Sequence, residues 1–440
     1  MIRLKAPLDV QFELTELCTQ KCRHCYNYWR YSSIPVGEEL AVSGLLNILD
    51  QINQAKVGLV TFTGGEPMIR KDVLFECVMR AHNLGVETGL NSNAVLIKKQ
   101  DANRLSECGL DHALISMLGP EEVHNSIGGS GANFKATLEG IQHLQNAKIS
   151  VSTNMVISKA NISKMYETAT ILKQLGVNNF CAGPMLPSCA GNIPLCLSGV
   201  ECKQCLKELM RIGKELSINI DVLEPIPRCL FNKDDETEFV KFFGNRICSA
   251  AVSSCAISST GFMRPCIHSD EVFGSVLPDK FLDIWEKMTS WSSPDILPQE
   301  CRKCSALMVC EGGCRMSAKT TSGSYNGKDM YMSSAITDLE RAVLVPIDNT
   351  EIVLGQTELL QFNKKCILRQ EHQGYIAFIS GKLEYLTPKG FEFISLLQQL
   401  TDVSCCSLEN HFGYSEDMIM PILKRLIKAK ILLRKEVKKQ

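Results

Sequence analysis

Three cysteines, Cys18, Cys22 and Cys25, follow directly on the first segment with strand character, Val10–Thr15. No other feature restricts the chain as strongly, because thiols this close in sequence share a metal, a cluster or a redox role. Three thiolates can bind three irons of a 4Fe–4S cube and leave the fourth iron open to a small chelating molecule. Zinc is the competing metal, and the four-ligand closed site it prefers could be completed by His24 or by a distant residue. The trio belongs to a chain of 440 residues with 21 cysteines. Its first ten residues lack the apolar stretch of a signal peptide, and no run of about 18 apolar residues occurs, so a cytoplasmic protein outside the membrane is expected. In that compartment clustered cysteines point to metal ligation instead of disulfides. A formal net charge of −1 gives no reason to expect nucleic acid or a membrane as partner. Isolated cysteines such as Cys77, Cys108 and Cys181 read as small core residues, and Cys202 and Cys205 as packing on a helix.

Up to about Pro187 short apolar runs alternate with amphipathic stretches. Strands are expected at Val10–Thr15, Gly58–Thr63, Glu87–Asn91, Ala113–Met117, Ser150–Ile157 and Asn179–Gly183. Helices are expected at Val42–Ile52, Val73–Leu84, Phe134–Asn146 and Ile162–Leu175, with Gly85, Gly109 and Gly176 at their C-caps. This alternation implies an α/β fold with parallel strands and crossover helices, a partial (β/α)6 barrel of the TIM type. From Val222 to Thr337 periodicity fades and cysteines, glycines and short loops dominate, which suggests a region organised around metal instead of an apolar core. After a linker at Val343–Leu354, strands at Cys366–Arg369, Tyr375–Ile379 and Leu383–Leu386 precede helices at Lys389–Gln399, Ser404–Phe412 and about Ile419–Ala429. That is the pattern of a small winged-helix-like α+β domain. Pro421 suggests that the last helix starts near it or kinks. Three domains result, at 1–221, 222–340 and 350–440.

The second strand ends in Thr63-Gly64-Gly65-Glu66-Pro67 and the third in Asn91-Ser92-Asn93. Glycines let backbone groups approach a ligand closely, and Glu66 offers an acceptor for an ammonium group. Ligand sites of barrels lie at the C-terminal ends of the strands, so these features converge on the cysteine trio. In motif, order and separation the chain resembles the radical S-adenosylmethionine (SAM) superfamily. The resemblance implies a 4Fe–4S cluster on Cys18, Cys22 and Cys25, with SAM chelating the open iron and reductively cleaved to a 5′-deoxyadenosyl radical that takes a hydrogen atom from substrate. It also implies SAM contacts at His24, Gly64, Gly65, Glu66, Asn93 and Ser116, with Pro184–Pro187 near the adenine. Two positions depart from the pattern: Leu118 stands where relatives carry Asp, and Gly128 where they carry an Arg that touches SAM.

The middle region, with Cys248, Gly261, Cys266, then Cys301, Cys304, Cys310 and Cys314, could by spacing alone hold zinc. It resembles the SPASM extension of radical SAM enzymes in six of that motif's seven cysteines. The resemblance implies one or two auxiliary 4Fe–4S clusters, one on Cys248, Cys266 and Cys314 with Cys229 as an optional fourth ligand, the other on Cys301, Cys304 and Cys310. The seventh cysteine is missing, and Met332 stands in the corresponding stretch. Cys366, Cys405 and Cys406 read as core residues.

The stretch Gln361–Leu433 resembles PqqD-like recognition elements of enzymes that modify ribosomally made peptides, and implies a precursor peptide whose leader adds as a strand to the sheet edge. The resulting expectation is a SPASM peptide maturase, fed by a low-potential donor such as flavodoxin or ferredoxin, that forms a thioether or carbon–carbon link. One alternative is a formylglycine-generating sulfatase maturase, disfavoured because Ile267 stands where those relatives carry an Asp base. The other is a noncatalytic iron–sulfur peptide-binding protein.

Overall fold

The alternation read from the sequence folds into one sheet. A computed structural model describes residues 3–31, 37–232, 234–244, 246–333, 352–400, 403–412 and 415–435. Strands β1 (Asp9–Thr15), β2 (Leu59–Gly64), β3 (Glu87–Ser92), β4 (His112–Ser116), β5 (Ser150–Ile157) and β6 (Asn179–Pro184) pair in parallel in sequence order. Helices α1 (Val42–Gln54), α2 (Lys71–Asn83), α3 (Lys99–Cys108), α4 (Glu121–Gly128), α5 (Phe134–Asn146), α6 (Met165–Gln174) and α7 (Gly199–Leu216) lie between and after them. The helices bury one stripe each: Leu45, Ile48, Leu49 and Ile52 on α1 follow the helical repeat. In β5, buried and partly exposed residues alternate with period two. Gly85, Gly109 and Gly176 have positive φ just past their helices, as expected.

Four strands of this sheet escaped the sequence pattern. β7 (Asn219–Asp221) extends the sheet beside β6, and β8 (Ser254–Ile257) pairs in parallel with the other side of β1. β7 has three residues and β8 four, too short to show a period. β9 (Phe262–Arg264) and β10 (Gly274–Ser275) continue antiparallel beyond β8. The middle region therefore shares the barrel's sheet. It also shares its core: Phe281, Ile284, Trp285, Met288 and Trp291 are buried in the same cluster as Phe12 and Phe62. The expectation of a region held by metal instead of an apolar core is corrected on this point, since aromatic residues there supply apolar area that the cysteine spacing hid.

The C-terminal module has a three-stranded antiparallel sheet of β12 (Ile367–Glu371), β13 (Gly374–Ile379) and β14 (Lys382–Leu386), with helices Pro388–Leu397, Cys405–Phe412 and Glu416–Lys428. β11 (Leu360–Phe362) pairs with β15 (Leu432–Arg434). Ser380 and Gly381, both at positive φ, make the expected hairpin turn. Pro421 lies inside the last helix, which starts earlier than expected, at Glu416; the carbonyl of Asp417 that Pro421 cannot satisfy belongs to an exposed residue that water reaches. Most of the expected linker, 343–351, lies outside the described residues.

The module packs against the end of the barrel where the strands start. Arg369 donates to the carbonyls of Ala6 (2.7 Å), Pro7 (3.2 Å) and Lys56 (3.1 Å), and to Glu371 (2.6 Å), whose other oxygen accepts from the Lys5 amide (2.7 Å). Ser380 binds Glu87 at the start of β3 through its amide and hydroxyl. Phe378 lies over Gly58, where a Cβ would meet its ring at 2.4 Å.

Candidate active site

The opposite end of the barrel collects the residues singled out by the motifs. After β1 the chain turns through Thr15–Leu17 into the cysteine loop. The Gly65 amide donates to Thr15 O (2.7 Å) and the Glu66 amide to Leu17 O (2.8 Å). A Cβ on Gly65 would lie 2.0 Å from Leu17 O, and one on Gly64, at φ +124, 2.3 Å from Thr15 O. The two glycines thus allow the end of β2 to lie directly against the chain entering the loop.

Cys18, Cys22 and Cys25 are half-buried thiols on this loop. Burial, then its neighbours Cys25 and Cys18, push the Cys22 thiol up to about 12. Metal binding there would displace protons from thiols. The loop is pinned to the end of α4: Lys21 N–H donates to Gly128 O (3.0 Å) and Arg23 N–H to Ile127 O (3.2 Å). Beyond it, a Cβ on Gly131, at φ +86, would lie 1.8 Å from Thr19 O. A Cβ on Gly129 would lie 2.9 Å from Lys21 O and one on Gly128 2.6 Å from the Ala132 Cβ, so crowding of this turn gives a physical reason for Gly at the position where relatives carry Arg. Leu118 is buried, its amide donating to His124 Nδ1 (3.3 Å) and its carbonyl accepting from Asn161 (3.0 Å).

Glu66 differs from its expected role as an open acceptor. It is buried, and its carboxylate accepts from the Met68 amide (3.1 Å), the Ser92 hydroxyl (2.8 Å) and the Asn93 amide (2.9 Å). It ties the ends of β2 and β3 together and so positions Asn93, whose side-chain amide donates to Thr19 in the cysteine loop (3.1 Å). Ser116 ends β4, opposite Asn154 of β5. His24 is held well toward the neutral form, about 4, by burial and then by His124.

Several polar atoms here are buried without a partner: Gln20 Nε2, His24 Nδ1, Asn27 Oδ1, His124 Nε2 and Asn154 Oδ1. Buried polar groups are nearly always hydrogen-bonded, so a cluster of orphans around three thiols fits a polar ligand and a cofactor. Sequence reasoning missed Asn27, whose amide donates to Gly64 O (2.9 Å). It also missed the fully buried pair of Glu13 with Arg264, which ties β9 to β1 beneath the Tyr28 ring. Glu13, a charge between the apolar residues Phe12 and Leu14, was the available signal, because a buried charge needs a partner.

The middle-region cysteines form two groups. Cys248, Cys266 and Cys314 lie together: burial and then Cys248 push the Cys266 thiol up to about 12, and Cys314 is raised by burial, then Cys248. Cys301, Cys304 and Cys310 line a second site, a small cavity partly open to solvent. Cys229, an optional member of the first group in the sequence, is placed in the second. Among the described residues no three His, Cys, Asp or Glu side chains converge on a single ion. A cubane, with each thiolate on its own iron, does not require them to.

A parallel barrel with a three-thiol loop at its strand ends, flanked by two further cysteine groups, defines a candidate iron–sulfur site at the barrel mouth. Residues 12–172 match the radical SAM superfamily and residues 248–305 the SPASM iron–sulfur cluster-binding domain. The chain carries a radical SAM domain and a SPASM domain, and with them SAM and 4Fe–4S clusters as its cofactors. It is 26% identical over 339 residues to the AdoMet-dependent heme synthase of Methanosarcina barkeri, covering 74% of this chain and 96% of that protein. It is 26% identical over 333 residues to the PqqA peptide cyclase of Bradyrhizobium diazoefficiens (72% and 83%). In fold it is similar to Streptococcus suis SuiB bound to precursor peptide SuiA, with a TM-score of 0.60, 18% identity, and coverage of 74% and 76%. Among the described residues no helix is long and apolar enough to cross a membrane.

Proposed function

We propose that this enzyme matures a ribosomally made precursor peptide, holding its leader on the C-terminal module and linking residues of its core through a thioether or carbon–carbon bond. The observation that carries this reading is the outer strand of the module's sheet. Among the described residues β14 pairs only with β13, and beside it runs the last helix, with Lys382 donating to Lys428 O (2.7 Å) and Arg425 paired to Glu384 (2.6 Å). Tyr385, Met418 and Ile422 are 58%, 57% and 44% exposed there. An extended peptide could take its backbone hydrogen bonds from the strand edge and its selectivity from these side chains.

In this reading Cys18, Cys22 and Cys25 hold the SAM-binding cluster, while His24, Gly64, Gly65, Asn93 and Ser116 line the SAM site, with Glu66 setting the strand ends. Bound there, cluster and SAM supply a carbon radical able to take hydrogen from an unactivated position. The protein's own part is to orient the peptide and exclude water. The auxiliary cysteine groups would hold clusters able to take up an electron or bind substrate, and a flavodoxin or ferredoxin would supply the first electron. A sulfatase-maturase chemistry would need a base where Ile267 offers only hydrocarbon.

The similarity to heme synthases favours a second reading, in which a tetrapyrrole is the substrate. Against it, 96% of that protein is matched by 74% of this chain, which leaves roughly a quarter of the chain without a counterpart. Reduced, reconstituted enzyme with SAM should convert short peptides encoded beside its gene to products lighter by a pair of hydrogens, read by mass spectrometry. Unchanged peptides alongside consumption of an iron tetrapyrrole would replace the first reading by the second.

A further inference from the structure

The SPASM pattern lacks its seventh cysteine, and Met332 occupies that stretch. The cavity that holds Cys301, Cys304 and Cys310 is lined by both Met332 and Cys229. Met332 has a neutral thioether, and its sulfur already accepts the Asp329 amide at 3.3 Å. Cys229 comes from far upstream, on a short turn at Arg228–Leu230. That turn is held in place at several points. The Arg228 amide donates to Cys310 Sγ (3.2 Å), and the buried Arg228 guanidinium donates to Val240 O (3.1 Å). Ser333 donates its amide to Cys229 Sγ (3.3 Å) and its hydroxyl to Cys229 O. A Cβ on Gly313, at φ +74, would lie 2.8 Å from Pro227, so the turn and the cysteine loop are in close contact.

We propose that Cys229 is the fourth protein ligand of the auxiliary cluster on Cys301, Cys304 and Cys310, in place of the missing motif cysteine. Iron–sulfur clusters are held by thiolates, and Cys229 is the added thiol that this cavity contains. Ligation forms one S–Fe bond and releases the Cys229 thiol proton to solvent. The cluster is then closed by four thiolates and suited to passing electrons. The group of Cys248, Cys266 and Cys314 keeps three, so the exchangeable iron of the auxiliary region lies there, on the β9 side that joins the barrel. The inference rests on the SPASM assignment and is independent of whether peptide or tetrapyrrole is the substrate.

The test uses the full chain with Cys18, Cys22 and Cys25 changed to Ala, so that only auxiliary clusters form. After anaerobic reconstitution this protein should carry about 8 irons, the content of two cubanes. Adding Cys229→Ala should remove between about 1 and 4 irons and alter one of the two sets of reduced-cluster electron paramagnetic resonance signals. Met332→Leu should leave both iron and signals unchanged. Cys229→Ser, which keeps the size and an oxygen ligand, should retain the cluster at a shifted reduction potential and serves as the folding control. Full iron and unchanged signals in Cys229→Ala, or iron lost from Met332→Leu instead, would overturn the assignment. A failed peptide assay with these iron results intact would count against the proposed substrate alone.

Discussion

At the end of the barrel where β1 to β5 finish, buried polar atoms of Gln20, His24, Asn27, His124 and Asn154 lack partners. At the end where the strands start, Arg369 reaches three backbone carbonyls within 3.2 Å and Glu371 accepts a backbone amide. Among the described residues none of the orphaned side-chain atoms lies at that end. The same sheet therefore carries two kinds of surface. Each unsatisfied buried group costs about 1–3 kcal/mol, so the mouth is an arrangement that a bound ligand relaxes. The floor is already satisfied, and it joins the C-terminal module to the barrel. The difference separates the end that carries the cluster and SAM motifs from the end that holds the C-terminal module to the barrel, and it can be broken from either side.

The largest effect is expected at the mouth. Cys22→Ala should remove the SAM-binding cluster, a loss of about 4 irons per chain by metal analysis. Denaturant unfolding of the floor should change by less than about 0.5 kcal/mol. Next comes Arg369→Met, which leaves Glu371 buried without its ion partner and should cost about 3–5 kcal/mol. Its readout is denaturant midpoint and protease cleavage between barrel and module, with iron content unchanged. Gly131→Ala follows, at about 1–3 kcal/mol, because it forces a Cβ onto Thr19 O at a positive φ. That strain should appear as weaker retention of the Cys18–Cys25 cluster under a chelator, with the floor unaffected. The smallest is Ile422→Ser, expected to weaken peptide binding about tenfold, or about 1.4 kcal/mol, in a fluorescence anisotropy titration while leaving SAM cleavage intact.

Much of the mouth was legible in the chain because its residues are contiguous: the cysteine trio, Gly64-Gly65-Glu66 and Asn93 each follow a segment that reads as a strand. The role of Glu66 was not legible, because its partners Ser92 and Asn93 lie on a neighbouring strand. The floor was invisible for the same reason on a larger scale. Arg369 and the carbonyls it binds are more than 300 residues apart, and no local pattern encodes such a contact. The strands β7 and β8 were missed because short segments show no period. Cys229 was visible as a residue, yet only the folded cavity shows which cysteines it joins.

The division between mouth and floor is tested most directly by the 5′-deoxyadenosine formed from SAM by the reduced, reconstituted chain, compared with Cys22→Ala and Arg369→Met. The account predicts product from the wild-type chain and from Arg369→Met, and none from Cys22→Ala. No product from wild-type protein carrying its full iron, or undiminished product from Cys22→Ala, would contradict it.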